Sequence, residues 1–409
     1  MKGFVIFLTS TIVVVFLSKT KSLKSSSLLS KNNNIQYTAF DNNLIPNCII
    51  VDCTHSFNKQ ITHHLKSKYQ RSLSIDINNQ GDSTSDTVLN IIKNSPSKLY
   101  NADFQYVTSN HFDIDSFVAS FCIINPQVAL KYEMILRNVA KIGDFRELFL
   151  QEEYHHDALK LACWLNSEER RLFYKPFEST ITARKGEEEG EDKFHYFLKM
   201  FKNVIENIQA FEDQWKDEYN QVLQEYNDIQ QKGNIIKYDT IGLVRVRIKD
   251  PGHYYSLFST SYGYDIILSQ YSDNRYEIEQ KYTTFIDLAS RAVLPRVELQ
   301  HLCNYLNEID KICTGDSSTL KWVANRITDS GPLLRIDNDI CHLTKSERYG
   351  HPYERPIFKS SIPPDELESI LVSYLSFAYN NIHPKHDYTW NDLQTFNRNI
   401  DWKKWQRNM

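Results

Sequence analysis

The stretch Tyr106-Val-Thr-Ser-Asn-His-Phe-Asp-Ile-Asp-Ser-Phe-Val-Ala-Ser120 decides how this chain is read. Tyr106-Val107-Thr108 is aromatic and β-branched, the composition of a buried strand. The apolar run from Phe117 to Ile124, with small residues in it, suits a helix packed on a sheet. Between them His111, Asp113 and Asp115 stand one residue apart, and in an extended segment alternate residues project to the same side. A histidine and two carboxylates would then converge at the carboxyl end of a strand, where open α/β sheets place their ligand sites. Hard divalent cations such as Mg²⁺ and Mn²⁺ favour carboxylates, and Mn²⁺ also accepts imidazole. The competing reading is a helix cap, in which Asp113 or Asp115 satisfies free N–H groups.

Working outward, Asn47–Cys53 reads as a buried strand and Asp82–Ile92 as a capped helix. Asn125-Pro126 breaks the helix that leaves the candidate site, and a further helix runs to about Lys141. This alternation of strand and helix is a βαβ arrangement. Gly143-Asp144 follows and could add a third carboxylate. A helical stretch comes next, interrupted by the charge run Arg184–Asp192, which reads as a solvated loop. Helical spacing of Phe194, Phe197, Phe201, Val204, Trp215 and Val222 then predicts a long amphipathic helix over Lys193–Gln231, ended by Gly233. From Asp239 the composition turns to β, and Tyr264–Ser269 with Arg275–Thr284 suggests an antiparallel hairpin with one wet face. The expected fold is α/β: an N-terminal βαβ-type domain with a helical insertion over 35–232, followed by a smaller α+β domain over 238–409. The boundary falls near Lys232–Tyr238, and Trp390, Trp402 and Trp405 in the C-terminal tail should dock on the body.

Composition narrows the function classes. With 409 residues, 41% hydrophobic and 13% aromatic, the chain can bury a substantial core. A formal charge of -4 gives no electrostatic footprint for a nucleic acid. Seven cysteines, an odd number with no C-x-x-C among them, exclude both a disulfide framework and a zinc ribbon. Residues 1–34 read as an address: Met1-Lys2 and the apolar Gly3–Ser18 resemble a signal peptide, and the acid-free Lys19–Asn34 resembles a transit stretch. That combination points to entry into the secretory route and onward passage to a plastid-type organelle, with secretion or an uncleaved anchor as alternatives. The chain also lacks any N-x-S/T sequon. No membrane span is expected beyond this segment.

Other polar clusters compete for chemistry. In Glu152-Glu-Tyr-His-His-Asp157, a helix would set His155 and His156 beside acids. Glu298-Leu-Gln-His301 supplies a second Glu-x-x-His, as in di-iron carboxylate bundles, but so many strands argue against that fold. Arg291 and Arg296 flank Leu294-Pro295, and Arg245 and Arg247 share a strand face; either pair could hold an anion.

Two resemblances follow. Gly81–Thr87, Ser109–Ser116, Ile142–Phe145 and Ser290–Leu299 resemble an uncharacterised family, a domain of unknown function found chiefly in bacteria. Its members usually carry glycine where this chain has Ser116. More locally, His111-x-Asp113-x-Asp115 followed by a small residue is similar to the first motif of DHH-type phosphoesterases. That resemblance implies that His111, Asp113 and Asp115 are ligands of a Mn²⁺ pair, with Asp144 and His155-His156 as later ligands. Tyr154 precedes those histidines where aspartate is expected, and the glycine-rich substrate motif of that superfamily is absent.

The leading expectation is a metal-dependent hydrolase of phosphoesters. Asp113 and Asp115 would be catalytic, Mn²⁺ or Mg²⁺ would be the cofactor, and Arg291 and Arg296 would hold a small anionic substrate. The rival is a non-catalytic ligand-binding or scaffold protein of an organelle. One geometric fact separates them: whether His111, Asp113, Asp115 and at least one of Asp144, His155 or His156 crowd one pocket.

Overall fold

The computed structural model describes residues 35–65, 68–75, 78–100, 103–173, 188–314, 319–338, 351–386 and 388–409. The N-terminal targeting stretch lies outside the described residues. The architecture is α/β, on two sheets. Strands β1 (Gln36–Tyr37), β2 (Cys48–Val51), β3 (Lys59–Ile61) and β4 (Tyr106–Thr108) form the first, in the order β1-β4-β2-β3 with every pairing parallel. Helices α1 (Lys68–Leu73), α2 (Thr84–Asn94) and α3 (Ser97–Tyr100) connect β3 to β4. After β4 come α4 (Ile114–Ile124), α5 (Pro126–Lys131), α6 (Glu133–Phe145), α7 (Glu153–Phe173), α8 (Glu188–Glu206) and α9 (Glu212–Lys232).

Burial explains the sequence pattern. Ile49, Ile50, Val51 and Val107 are fully buried, as expected for parallel strands covered on both faces. Helix α4 is apolar almost all round because α2, α6 and α8 enclose it. Its Phe117 and Phe121 meet Phe201 of α8 edge-on at 5.0 and 4.9 Å, and Trp164 of α7 joins through Phe197 at 5.5 Å. Fully burying one such side chain contributes about 1.5–3 kcal/mol, so this aromatic core fixes α4, and with it the loop of His111 and Asp113.

Strands β5 (Asn234–Tyr238), β6 (Leu243–Arg247), β7 (Ile266–Tyr271), β8 (Arg275–Gln280), β9 (Leu320–Ala324) and β10 (Leu333–Asn338) build the second sheet, ordered β5-β6-β7-β8-β10-β9. Only β6–β7 is parallel, bridged by α10 (Tyr254–Phe258). Helices α11 (Gln300–Ile309), α12 (Pro364–Ala378), α13 (Trp390–Arg398) and α14 (Trp402–Arg407) complete the unit. The tail docks through Trp402, stacked on Tyr374 at 4.2 Å, and through the buried Trp405.

The stretch Asn234–Tyr238, where the boundary was expected, is an edge strand paired to β6, where its two isoleucines suit a pleated surface. Three local expectations are corrected. Glu188–Asp192, read as loop, opens α8; 184–187 lie outside the described residues. The long helix is two, split by a turn at Ile208–Phe211 whose first carbonyl accepts from Trp215 Nε1 at 2.9 Å. The β7–β8 hairpin has no wet face. Ile266 and Leu268 enter one apolar cluster and Ile267 another, so both faces of β7 are covered.

Candidate metal centre

The carboxyl edge of the parallel sheet carries the polar residues. Asp52 follows β2, with φ at 55°, and its N–H donates to the Ile61 carbonyl at 3.0 Å. His63 and His64 follow β3, and His111 and Asp113 follow β4. Asp115 lies in the first turn of α4 and Asp144 in the last turn of α6, which extends past the expected end at Lys141. Gly143 makes that approach possible: a Cβ there would stand 2.4 Å from Ile114 Cβ.

These residues meet. His63 Nε2 lies 3.2 Å from Asp52 Oδ1, 3.4 Å from Asp144 Oδ2 and 3.9 Å from Asp115 Oδ2. His64 Nε2 is 3.5 Å from Asp52 Oδ1, and His111 Nε2 is 3.5 Å from Asp52 Oδ2 and 3.1 Å from Asp113 Oδ2. The potential ligand atoms fall into three sets, each within 4.8 Å: Asp52-His63-His64, Asp52-His111-Asp113 and His63-Asp115-Asp144. Asp52 belongs to two sets, one oxygen toward each, so it stands where a bridging carboxylate would.

The histidines are oriented from behind. His63 Nδ1 donates to the Asp82 carbonyl at 2.7 Å, and His111 Nδ1 donates to Asn110 Oδ1 at 2.7 Å. Fixing the proton on Nδ1 turns Nε2 inward as a ligand nitrogen, the usual support for metal-bound imidazole. Asp52 Oδ2, His63 Nε2 and Asp144 Oδ2 are buried without a hydrogen-bond partner among the described residues. Such atoms are rare in folded proteins unless an ion or water completes them.

The two acids of the opening motif also have local roles. Asp113 is the N-cap of α4, in a reciprocal capping box with Ser116. Asp115 accepts from the N–H groups of Thr84 at 2.7 Å and Ser85 at 2.9 Å, and so docks on the N-terminus of α2. A carboxylate has about four lone-pair sites, so neither role exhausts it. His111, Asp113 and Asp115 thus converge, but not as one extended strand: Asp115 reaches the cluster from the first helical turn.

Crowding disturbs the titration of the metal-free cluster. Burial, then the charge of Asp52, pushes the Asp115 carboxyl up to about 7. Burial and the neighbouring Asp115, Asp113 and Asp52 push Asp144 well above the usual carboxylate range. Burial would also raise Asp52, but the imidazoles of His63 and His64 hold it well below that range. Burial opposes charge on His111, yet Asp113 and Asp52 raise it to about 9.

Above the cluster lies a cavity of about 310 Å³, lined by His64, His111, Asp113 and Asp144 on one side and by residues of the second unit on the other. Tyr282 of that unit shares a hydrogen bond with His64 Nε2 at 3.1 Å, and burial keeps its phenol protonated.

The remaining expected site residues stand elsewhere. His155 Nδ1 accepts from the Glu152 N–H at 3.0 Å, and His156 pairs with Tyr219 at 2.8 Å, both on α7. Their register on a helix sets them apart from the strand ends. Arg291 forms a bidentate pair with Asp265 at 2.5 and 3.0 Å. Arg296 is buried and binds the carbonyls of Ile327, Asp329 and Ser330, holding the loop whose Ser330 and Gly331 line the cavity. Neither arginine lines the cavity; Arg146 and Lys281 do. Arg245 and Arg247 pair with Glu368 and Asp365, and His301 stacks on Trp402 at 5.4 Å.

A fourth set, Glu218-His253-His351, is chemically different. His253 Nδ1 accepts from the Tyr255 N–H, so Nε2 carries the proton and donates to Glu218 at 3.0 Å. The charges of Arg170, Arg146 and Arg355 also reach His351. In that set Glu218 and His253 form a hydrogen-bonded pair in positive surroundings, and His351 Nδ1 is buried without a partner among the described residues.

A family model of unknown function (DUF6687) matches residues 33–386 of the chain. No protein of curated function matches it.

Proposed function

The chain belongs to the DUF6687 family, whose function is unknown, and from that premise we propose that it is a metal-dependent phosphoester hydrolase acting on a small anionic substrate. The observation that carries the reading is the pair of inward Nε2 atoms on His63 and His111, with Asp52 between them. One cation would be held by Asp52, His111 and Asp113, the other by His63, Asp115 and Asp144. Mixed imidazole and carboxylate donors suit Mn²⁺ better than Mg²⁺, which prefers oxygen alone. Bound cations of this kind polarise a phosphoryl group and lower the pKa of a coordinated water. The protein's part is to orient the imidazoles, to gather the acids around one point, and to line the cavity with Tyr282 and Phe285.

The small-substrate reading draws on the cavity, whose volume is at the lower end for ligand sites. The local similarity to DHH-type phosphoesterases supports it too, with His63-His64 in place of the expected His155-His156. The rival, a non-catalytic binding or scaffold protein, draws on the capping roles of Asp113 and Asp115. A chelator-stripped chain assayed with nitrophenyl phosphate esters separates the two. Mn²⁺ should restore turnover, and Asp52→Asn should abolish it; metal binding without turnover on any phosphoester would favour the rival. The plastid-type address remains part of the proposal. A reporter fused to residues 1–40 should reach such an organelle through the secretory route, and diffuse cytosolic signal would end that idea. Among the described residues no helix is long and apolar enough to cross a membrane.

A further inference from the structure

The cavity has a second polar feature, at the end of helix α6. Helix α6 ends with Arg146 as its C-cap in the left-handed region, φ 54° and ψ 24°. Glycine is the usual residue there, and other residues are disfavoured by about 1–2 kcal/mol. What arginine supplies that glycine cannot is its side chain. The guanidinium lies 4.6 Å from the ring centroid of Tyr254 and 5.3 Å from that of Phe258. Its Nη1 pairs with Glu279 Oε1 at 3.0 Å. Gly331 leaves room for that carboxylate, since a Cβ there would come within 3.0 Å of Glu279 Oε1.

Nε and Nη2 of Arg146 have no hydrogen-bond partner among the described residues, and the side chain is one-fifth exposed in the cavity. The other cation lining that cavity is committed: Lys281 Nζ donates to Glu147 at 2.6 Å and to the Ser261 carbonyl at 3.1 Å. Arg291 and Arg296 are held outside the cavity.

We propose that Arg146 is a specificity-determining residue that receives a second anionic group, carboxylate or phosphate, on the substrate's leaving side. This rests on the phosphoester reading above. Two rings fix the plane of the guanidinium and Glu279 fixes one end. The free edge is then a preorganised fork for a planar or tetrahedral oxyanion. Phe145, Phe258, Phe285 and Tyr282 line the same cavity as that fork and the acids. The substrate class is therefore a small phosphoester with a short, partly apolar body and a terminal anion.

The test is calorimetry on the Mn²⁺-loaded full chain with methylphosphonate, which carries one anionic group, and 3-phosphonopropionate, which adds a carboxylate. Wild type should bind the second about tenfold more tightly, the scale of one charge-assisted fork. Arg146→Met should erase that advantage while methylphosphonate affinity moves by less than about twofold, and Arg146→Lys should keep part of the advantage. Equal affinities in wild type would overturn the inference, as would equal losses for both ligands in Arg146→Met. In either case methylphosphonate binding to wild type leaves the phosphoester reading standing. Binding of neither ligand to Mn²⁺-loaded wild type would overturn both. If Arg146→Met fails to fold, the Arg146→Lys comparison decides alone: an undiminished preference for 3-phosphonopropionate would count against the inference.

Discussion

This molecule buries acids in two different ways. On the second sheet both buried acids of β8 have a basic partner: Glu277 lies 2.8 Å from Arg355 and 3.9 Å from Arg335, and Glu279 lies 3.0 Å from Arg146; beside the sheet, Glu147 after α6 lies 2.6 Å from Lys281. On the first sheet Asp52, Asp115 and Asp144 have no lysine or arginine partner among the described residues; imidazoles, one another and hydrogen bonds from Thr84 and Ser85 surround them. A buried charge is tolerated when it is paired and hydrogen-bonded. The first arrangement sets a permanent cation against each acid. The second keeps partnerless inward atoms and carboxyls pushed far from their ordinary range, and a divalent cation is the simplest addition that completes it.

The largest expected effect breaks the side paired with permanent cations. Glu277→Ala leaves Arg335 and Arg355 without their shared acid in a buried place and should cost about 3–5 kcal/mol in denaturant unfolding. Its Mn²⁺ affinity, measured where the variant is folded, should match that of wild type. Next, Gly143→Ala forces a Cβ against Ile114 and should cost about 1–3 kcal/mol by overpacking. It should also weaken Mn²⁺ binding, because it shifts Asp144 away from His63.

A third prediction contrasts pH profiles. In chelated protein the Asp115 carboxyl titrates near 7 when folded and near 3.8 when unfolded. Between those values the folded chain holds a proton that the unfolded chain has released, so this group's contribution falls as pH rises from about 4 through 7. His111, raised to about 9, acts in the same direction: its contribution is fully present below its ordinary value near 6.5 and is lost as pH rises through 9. Asp52, held low, has the opposite sign, with stability present above its unfolded value and lost as pH falls below it. Melting temperature without metal should therefore decline from pH 5 to 9. With saturating Mn²⁺ the slope should reverse, because ligation displaces the same protons. Parallel curves with and without metal would contradict this. The smallest effect is expected at His155→Ala, which should change Mn²⁺ affinity by less than about twofold, since it lies outside the cluster.

Much of the first unit was legible in sequence because its signals are local. The β-branched Tyr106–Thr108, the Ser83 cap of α2 and the apolar run of α4 each carry their own pattern. His111, Asp113, Asp115 and Asp144 were legible as candidates for the same reason. Asp52, His63 and His64 were missed, since only the strand order β1-β4-β2-β3 brings the ends of β2 and β3 beside that of β4. A usable signal was there for Asp52, which directly follows the buried apolar strand Cys48–Val51, but not for His63-His64, whose strand Lys59-Gln-Ile61 is mostly polar. Arg146 escaped notice because its role depends on the left-handed turn that ends α6 and on rings from a distant part of the chain. Arg291 and Arg296 drew attention by their spacing around proline, but ion pairing and burial claimed them.

The central claim is that the acids and imidazoles around Asp52 form a cation site. Calorimetric titration of chelator-stripped protein with Mn²⁺ tests it most directly. Wild type should bind saturably, with two ions per chain, and should gain about 2.7 kcal/mol of stability for each site at a free concentration 100 times its Kd. Asp52→Ala, which removes a ligand of the first cation and the carboxylate 3.2 Å from His63 of the second set, should lose both binding and the gain. Absence of saturable binding of Mn²⁺, Mg²⁺ or Zn²⁺ to folded wild-type protein would contradict the account.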